Sequence, residues 1–216
     1  RELSMTGLRA HPSATFPVTM ECAGNGRARL SPRPISQPWL TEAIGTAEWT
    51  GTPLRPLLEE AGIRDEAVEL VFAGADRGIQ GEVEQNYERS LTLDDAMRDD
   101  VILAYAMNGG PIPPQHGFPL RLLVPGWYGM TSVQWLTRNT AVAETFGATV
   151  VDPVGREPEA LGEREVRARV PPDRRHDVEI RAVDGWPRAG RPAARDAASH
   201  DRTRTARARP CLEHCC

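Results

Sequence analysis

Three short stretches of this sequence hold residues whose types and spacing could do chemistry. In VTMECAGNGRARL, residues 18–30, one cysteine, Cys22, follows an alternating run and opens a Gly-rich segment. A thiolate is a soft metal ligand and a strong nucleophile, and glycine lets backbone come close to a bound group. A buried cysteine that only packs is equally compatible with the position. In HGFPLRLLVPGWYGM, residues 116–130, His116 and Arg121 flank the start of an apolar run. A guanidinium fork and an imidazole directed at one loop could clamp an anionic group, and an ordinary hairpin with polar surface residues would look the same. In AGADRGIQGE, residues 73–82, Asp76 sits among glycines and could accept hydrogen bonds from a ring ligand or simply organise a turn. The Gly-Lys-Ser/Thr of a phosphate-binding P-loop is absent.

The elements that must position these residues follow from periodicity and punctuation. Phe16, Val18 and Met20 alternate with Pro17, Thr19 and Glu21, which predicts a strand over 16–22, and Gly24, Gly26, Pro32, Pro34 and Pro38 then make 23–38 a long loop. Thr52 suits an N-cap and Pro53 a first helical position. Leu54, Leu57, Leu58 and Ala61 share one helical face, and Gly62 ends the helix. A strand is expected near 68–72, then a polar Gly-rich loop from 74 to about 86, and a short helix over 91–97 with Thr92 as a cap. Further strands are expected at 101–107, 118–124 and 132–138, with a turn at Asn108-Gly109-Gly110-Pro111. Several loops exceed their strands, which suits an α+β domain of mixed sheet whose long loops wrap a ligand.

The chain has 216 residues, room for one sizeable domain with a tail. We place the domain at 1–150 and an irregular or disordered tail at 151–216. From 171 onward Arg, Ala, Asp and Pro dominate, and the few large apolar residues cannot offset the ordering entropy. Net charge is −4, which argues against a general nucleic-acid binder. No run is long and apolar enough to span a membrane, and no signal-peptide pattern follows Arg1. The compartment stays open between cytoplasm and export. Every basic residue other than histidine is Arg, with no Lys, a composition that suits recognition of oxyanions. Cys211, Cys215 and Cys216 crowd the end beside His214, so the four cysteines are no disulfide framework, and ligands packed this tightly rarely build a structural zinc site.

Taken in order, ECAGNGRA, GTAEWTGTPLRPLLEEAG, FAGADRG and LAYAMNGGPIPPQHGFPLRLLVPGWYGMTSVQWL resemble the molybdopterin-binding domain of the sulfite oxidase family over roughly residues 5–140. The resemblance implies a molybdenum cofactor, with Cys22 binding molybdenum through its thiolate beside the pterin dithiolene. It implies that His116 and Arg121 meet the pterin phosphate side and that Asp76 lines the pterin. Gly126, Thr131, Ser132 and Val133 would close over it through backbone contacts. Arg27, with Arg77, would draw an oxyanion to the mouth. The implied reaction is oxygen-atom transfer to sulfite or a similar small sulfur oxyanion, with electrons passed to an external acceptor such as a cytochrome. No heme is expected, because Cys-x-x-Cys-His is absent.

The sequence also departs from that family. Its Val-Lys-Trp reads Val133-Gln134-Trp135, so a neutral amide stands at a cofactor position that usually carries charge. The aromatic, His, Asn and Arg contacts usually found upstream are not supplied before Thr6, and no Tyr follows Tyr128. The dimerisation domain is expected to be absent, with only REPEALGE at 156–163 resembling its start, and the chain to be monomeric. A second reading follows: a cofactor-binding or inactive remnant of the family that lacks turnover. A third, a Cys22–His116 nucleophilic hydrolase, lacks the surroundings that activate such a pair.

Overall fold

The structure, a computed structural model, describes residues 2–32, 39–80, 83–146 and 175–176. Its elements in order are α1 (Met5–Arg9), β1 (Ala14–Glu21), β2 (Ile44–Pro53), α2 (Leu54–Ala61), β3 (Glu69–Gln80), β4 (Val83–Thr92), α3 (Leu93–Ala96), β5 (Ile102–Met107), β6 (Gly110–Pro111), β7 (Arg121–Leu123), β8 (Leu136–Val142) and β9 (Arg175–His176). Short 3-10 turns occupy Arg27–Arg29, Pro114–His116 and Gly129–Thr131. The α+β class is the one expected.

Two sheets form, and every ladder among the described residues is antiparallel. The first runs β1-β2-β5-β6 with β7 also on β5, and the second runs β4-β3-β8-β9. Strand β5 is buried on both faces. Leu103 joins a cluster with Leu54, Leu57, Leu58, Leu70, Phe72 and Leu122, while Ile102 and Ala104 join Val18, Met20, Trp49, Ile112 and Leu123 on the other side. That double burial explains why the segment reads as a near-continuous apolar run. Helix α2 lays Leu54, Leu57 and Leu58 on the first cluster, and Gly62 ends it in the left-handed region (φ 75°).

Several expectations shift. Thr52 does not cap α2. Its hydroxyl is buried and donates to the Leu8 carbonyl (3.0 Å), Pro53 takes the cap position, and the helix starts at Leu54. Thr92 does cap, accepting from the Asp95 N–H (3.2 Å), over a helix shorter than 91–97. The stretch expected as a loop after 74 is a β-hairpin: β3 continues to Gln80 and β4 returns from Val83. Its polar side chains belong to a two-stranded ribbon, which needs no alternating apolar pattern. The strand expected at 132–138 begins instead at Leu136, because Gly129–Thr131 winds into a turn first. The strand expected at 118–124 is confined to Arg121–Leu123. Strand β2 had no expectation at all. Within the stretch expected to be irregular, Arg175 and His176 pair with Val142 and Ala141, while Cys211, His214, Cys215 and Cys216 lie outside the described residues.

Asn139 of β8 pairs in register with Phe72, is fully buried, and among the described residues neither of its amide atoms has a hydrogen-bond partner. An unsatisfied buried polar group costs about 1–3 kcal/mol, and a β-branched residue suits a paired strand. Asn139→Val is therefore expected to stabilise the fold by about 1–2 kcal/mol, read as a higher denaturant midpoint at unchanged slope.

Candidate functional site

Cys22 is placed by β1. The strand's register against β2 ends at the Glu21–Ile44 pair, and the Cys22 N–H extends it to the Ala43 carbonyl (2.9 Å). The chain then turns sharply: the Asn25 N–H donates to the Cys22 carbonyl (2.8 Å), while the Asn25 side chain ties Glu21 (2.8 Å) to the Ala43 N–H (3.2 Å). Cys22 is the only cysteine among the described residues, it is in no disulfide, and it is 3% exposed. Its Sγ accepts from the Gly24 N–H at 3.4 Å. Such a bond favours the thiolate, the form that ligates a metal. Among the described residues no group of three or more His, Cys, Asp and Glu could hold a metal ion. Cys22 could therefore contribute one ligand to a metal that arrives with its other donors.

Arg121 is the interior charge of the site. It opens β7 opposite Ala104 and so points into the cluster of Val18, Met20 and Trp49. It is fully buried, donates to the His116 carbonyl (3.2 Å) and the Met20 Sδ (3.5 Å), and lies over the Trp49 ring at 5.4 Å. Met20 of β1 is two residues before Cys22, so the sulfur that receives the guanidinium and the thiol are carried by the same stretch of chain. A guanidinium is charged at any working pH, and its planar fork matches a phosphate. His116 ends its 3-10 turn half-buried. Burial first, and the Arg121 charge second, hold its imidazole below the usual value of 6.5. A neutral ring beside a fixed cation can still donate or accept a hydrogen bond.

Gln134 sits between two glycines. A Cβ on Gly117 would lie 3.1 Å from the Gln134 Cα, and Gly117 already holds φ 101°. A Cβ on Gly74 would lie 2.9 Å from the Gln134 carbonyl and would overlap the Asp76 carboxylate. Both ladders of β3 slip beside this point, between Ala73 and Gly74 toward β8 and between Ala73 and Arg77 toward β4. The bulge brings the Asp76 carboxylate back over Gly74, which the Gln134 carbonyl also approaches. Trp135 takes a left-handed backbone (φ 46°), and its Nε1 donates to the Pro114 carbonyl (3.0 Å), which ties this segment to the His116 turn. The Phe118–Pro119 peptide between His116 and Arg121 is cis.

The structure thus links His116, Arg121, Gln134 and Asp76 through direct neighbours and joins Cys22 to them through Met20. Val133 follows, since the Leu122 N–H donates to its carbonyl (2.9 Å). The N–H groups of Thr131, Ser132 and Val133 bond within their own turn, to the carbonyls of Tyr128, Gly129 and Thr131, and the Ser132 hydroxyl accepts from Val124 (3.2 Å). Gly126 has φ 84° and open space around it. Arg27 stands apart on its own 3-10 turn, donating to the Ala23 carbonyl (3.3 Å), and Arg77 is exposed on β3. Sequence reasoning missed Trp49, Met20, Gly74 and Gly117. The glycine of His-Gly-Phe-Pro was a legible signal, and Trp49 was hidden with its unassigned strand.

The candidate site thus combines a cysteine-bearing strand end, a buried arginine and a Gly-flanked amide. The chain belongs to the family described as the oxidoreductase molybdopterin binding domain, which matches residues 1–149. It is 39% identical over 148 residues to mitochondrial sulfite oxidase of Mus musculus, covering 66% of this chain and 27% of that protein. It is 39% identical over 138 residues to inducible nitrate reductase [NADH] 2 of Glycine max, covering 61% of this chain and 15% of that protein. Among solved structures it resembles the sulfane dehydrogenase SoxCD from Paracoccus pantotrophus, with a TM-score of 0.58 and 30% identity over 72% of this chain and 40% of that one. The chain therefore spans well under half the length of each of these relatives.

The lowered His116 value sets a pH window. A histidine whose folded value is depressed contributes stability that is fully present above the ordinary 6.5 and is lost as pH falls through 6.5 toward the folded value. An NMR titration is expected to find the His116 midpoint below 6.5. Arg121→Met should raise it only part of the way back, because burial is the larger cause. A midpoint at or above 6.5 in the unaltered chain would show that burial does not act as argued.

Proposed function

We propose that this chain binds a molybdenum cofactor through Cys22 and oxidises a small sulfur oxyanion, sulfite or a close analogue, passing electrons to an external acceptor. The observation that carries the reading is the pairing on β1 and its neighbours of a buried thiol with a fully buried arginine, within a family of molybdopterin-binding oxidoreductases. The chain's residues fit the group on their chemistry. Soft sulfur suits molybdenum, an interior guanidinium suits a phosphate, and a carboxylate at Asp76 can accept from ring N–H groups. When bound, the cofactor supplies oxygen-atom transfer and a two-electron change at the metal. Oxidising sulfite to sulfate takes one oxygen atom from water and releases two electrons and two protons.

The chain's own residues would bind and orient. Cys22 Sγ holds the metal, with the Gly24 N–H (3.4 Å) moderating the charge on sulfur. Arg121 and the neutral His116 hold the anionic side. Gln134 offers an amide between Gly74 and Gly117, and the 124–133 loop covers the pterin. Arg27, on the turn after Cys22, attracts the oxyanion. The sulfur substrate is favoured by the relatives named sulfite oxidase and sulfane dehydrogenase, and the nitrate reductases among the relatives make nitrate the competing oxyanion. One observation favours a second reading, cofactor binding without turnover: Gln134 brings no positive charge to the cofactor.

The test is to make the chain in a host that synthesises the cofactor and measure molybdenum per chain, followed by sulfite-dependent reduction of ferricyanide or a cytochrome. Near-stoichiometric metal, its loss in Cys22→Ala and sulfite turnover are expected. Arg27→Ala should raise KM roughly ten- to hundredfold with metal content unchanged, since a charge-assisted contact contributes about 1.5–3 kcal/mol. Full metal with no sulfite turnover would support the second reading, and activity with nitrate alone would reassign the substrate.

A further inference from the structure

We propose that Tyr87 and Arg98 are positioning residues that clamp the loop running from 124 to 133 into the form that covers the cofactor. The inference rests on the reading that this loop lies against that group. Neither residue carried an expectation from sequence, and both reach the loop from the side of the second sheet.

Arg98 follows α3 and is held first. Its Nε and Nη2 form a bidentate pair with the Asp100 carboxylate (3.0 and 2.7 Å), and Asp95 stands 4.0 Å from Nη1. From that fixed base Nη2 also donates to the Pro125 carbonyl at 2.9 Å. Tyr87 of β4 reaches the far end of the same loop, its hydroxyl donating to the Met130 carbonyl at 2.7 Å across 43 residues of sequence. Its ring is pinned in turn, with the Arg89 guanidinium stacked over it at 4.2 Å and Arg89 Nη1 anchored to the Glu88 carbonyl (2.7 Å). Two carbonyls five residues apart are therefore gripped by two side chains that are each immobilised by a second contact.

The clamp decides which way the loop's peptides face. A trans peptide is planar, with its carbonyl and the next N–H pointing opposite ways. Holding the Pro125 carbonyl on Arg98 sends the Gly126 N–H to the side of the loop away from Arg98, at a residue with open space around it. Ser132 Oγ, accepting from the Val124 N–H, closes the loop's base, and Val133 joins it to β7 and Gln134. Releasing either grip should free the covering segment without opening a core, because both contacts are to backbone oxygens at its edge.

Tyr87→Phe keeps the ring under Arg89 and removes only the hydroxyl, while Arg98→Lys keeps the charge and loses the fork. Amide exchange of the cofactor-free chain reads the clamp directly, and the rate of molybdenum loss from the loaded chain reads its purpose. Each variant is expected to speed exchange within 126–132 roughly two- to tenfold, the effect of one lost hydrogen bond, with β3 and β8 unchanged. Each should also speed metal loss by a similar factor with the thermal midpoint of the cofactor-free chain unmoved. Unchanged exchange in both variants, or faster exchange spread over β3 and β8, would overturn the clamp. Faster loop exchange with unchanged metal loss would overturn its link to the cofactor. A parent chain that takes up no molybdenum would instead overturn the reading of the site, and exchange alone would then decide the clamp.

Discussion

The buried guanidinium of Arg121 is the constraint around which this fold is arranged. Taking a permanent charge out of water is costly, and only polar neighbours and a polarizable surround make it tolerable. Arg121 finds those neighbours on different elements: the Met20 sulfur on β1, the Trp49 ring on β2 and the His116 carbonyl on the turn before β7. Each contact fixes one wall of the site. The strand that offers the Met20 sulfur also ends at Cys22, so the same register that receives the charge delivers the thiol. A slip of one residue in β1 would turn Met20 to the opposite face.

The second sheet supplies what the first cannot. Its bulge beyond Ala73 interrupts both ladders of β3 and brings Asp76 back over Gly74, and the close approach at Gly74 and Gly117 leaves Gln134 little freedom. The site is thus assembled from strand ends and strand defects, while the regular parts of both sheets are given over to two apolar clusters. That division is common where rigid elements position a binding group carried on loops.

Much of this was legible in the sequence, for identifiable reasons. The β5 run is apolar on both faces and could be read without its partners. Helix α2 showed three leucines at helical spacing, and Gly62 marked its end. Cys22, His116, Arg121 and Asp76 were picked out as residue types at Gly-rich bends, and the structure links the last three through shared neighbours and joins Cys22 to them by way of Met20. What escaped was set by tertiary context. Strand β2 is rich in Gly and Thr, and its pairing with β1 and β5 supplies the order that its local pattern lacks. The hairpin of β3 and β4 looks like a loop because its sequence is polar and Gly-rich, and only the pairing of the two strands makes it a ribbon. Thr52 resembled a cap, yet the burial of its hydroxyl against Leu8 won. Tyr87 and Arg98 gave no signal, since contacts to the carbonyls of distant residues leave no local pattern.

The central claim is that the Cys22 sulfur would be a ligand to the molybdenum of a bound cofactor. X-ray absorption at the molybdenum edge, on the loaded chain beside Cys22→Ser, tests it most directly. The expected result is one fewer sulfur neighbour of the metal in the variant. An identical sulfur count in both proteins would contradict the account.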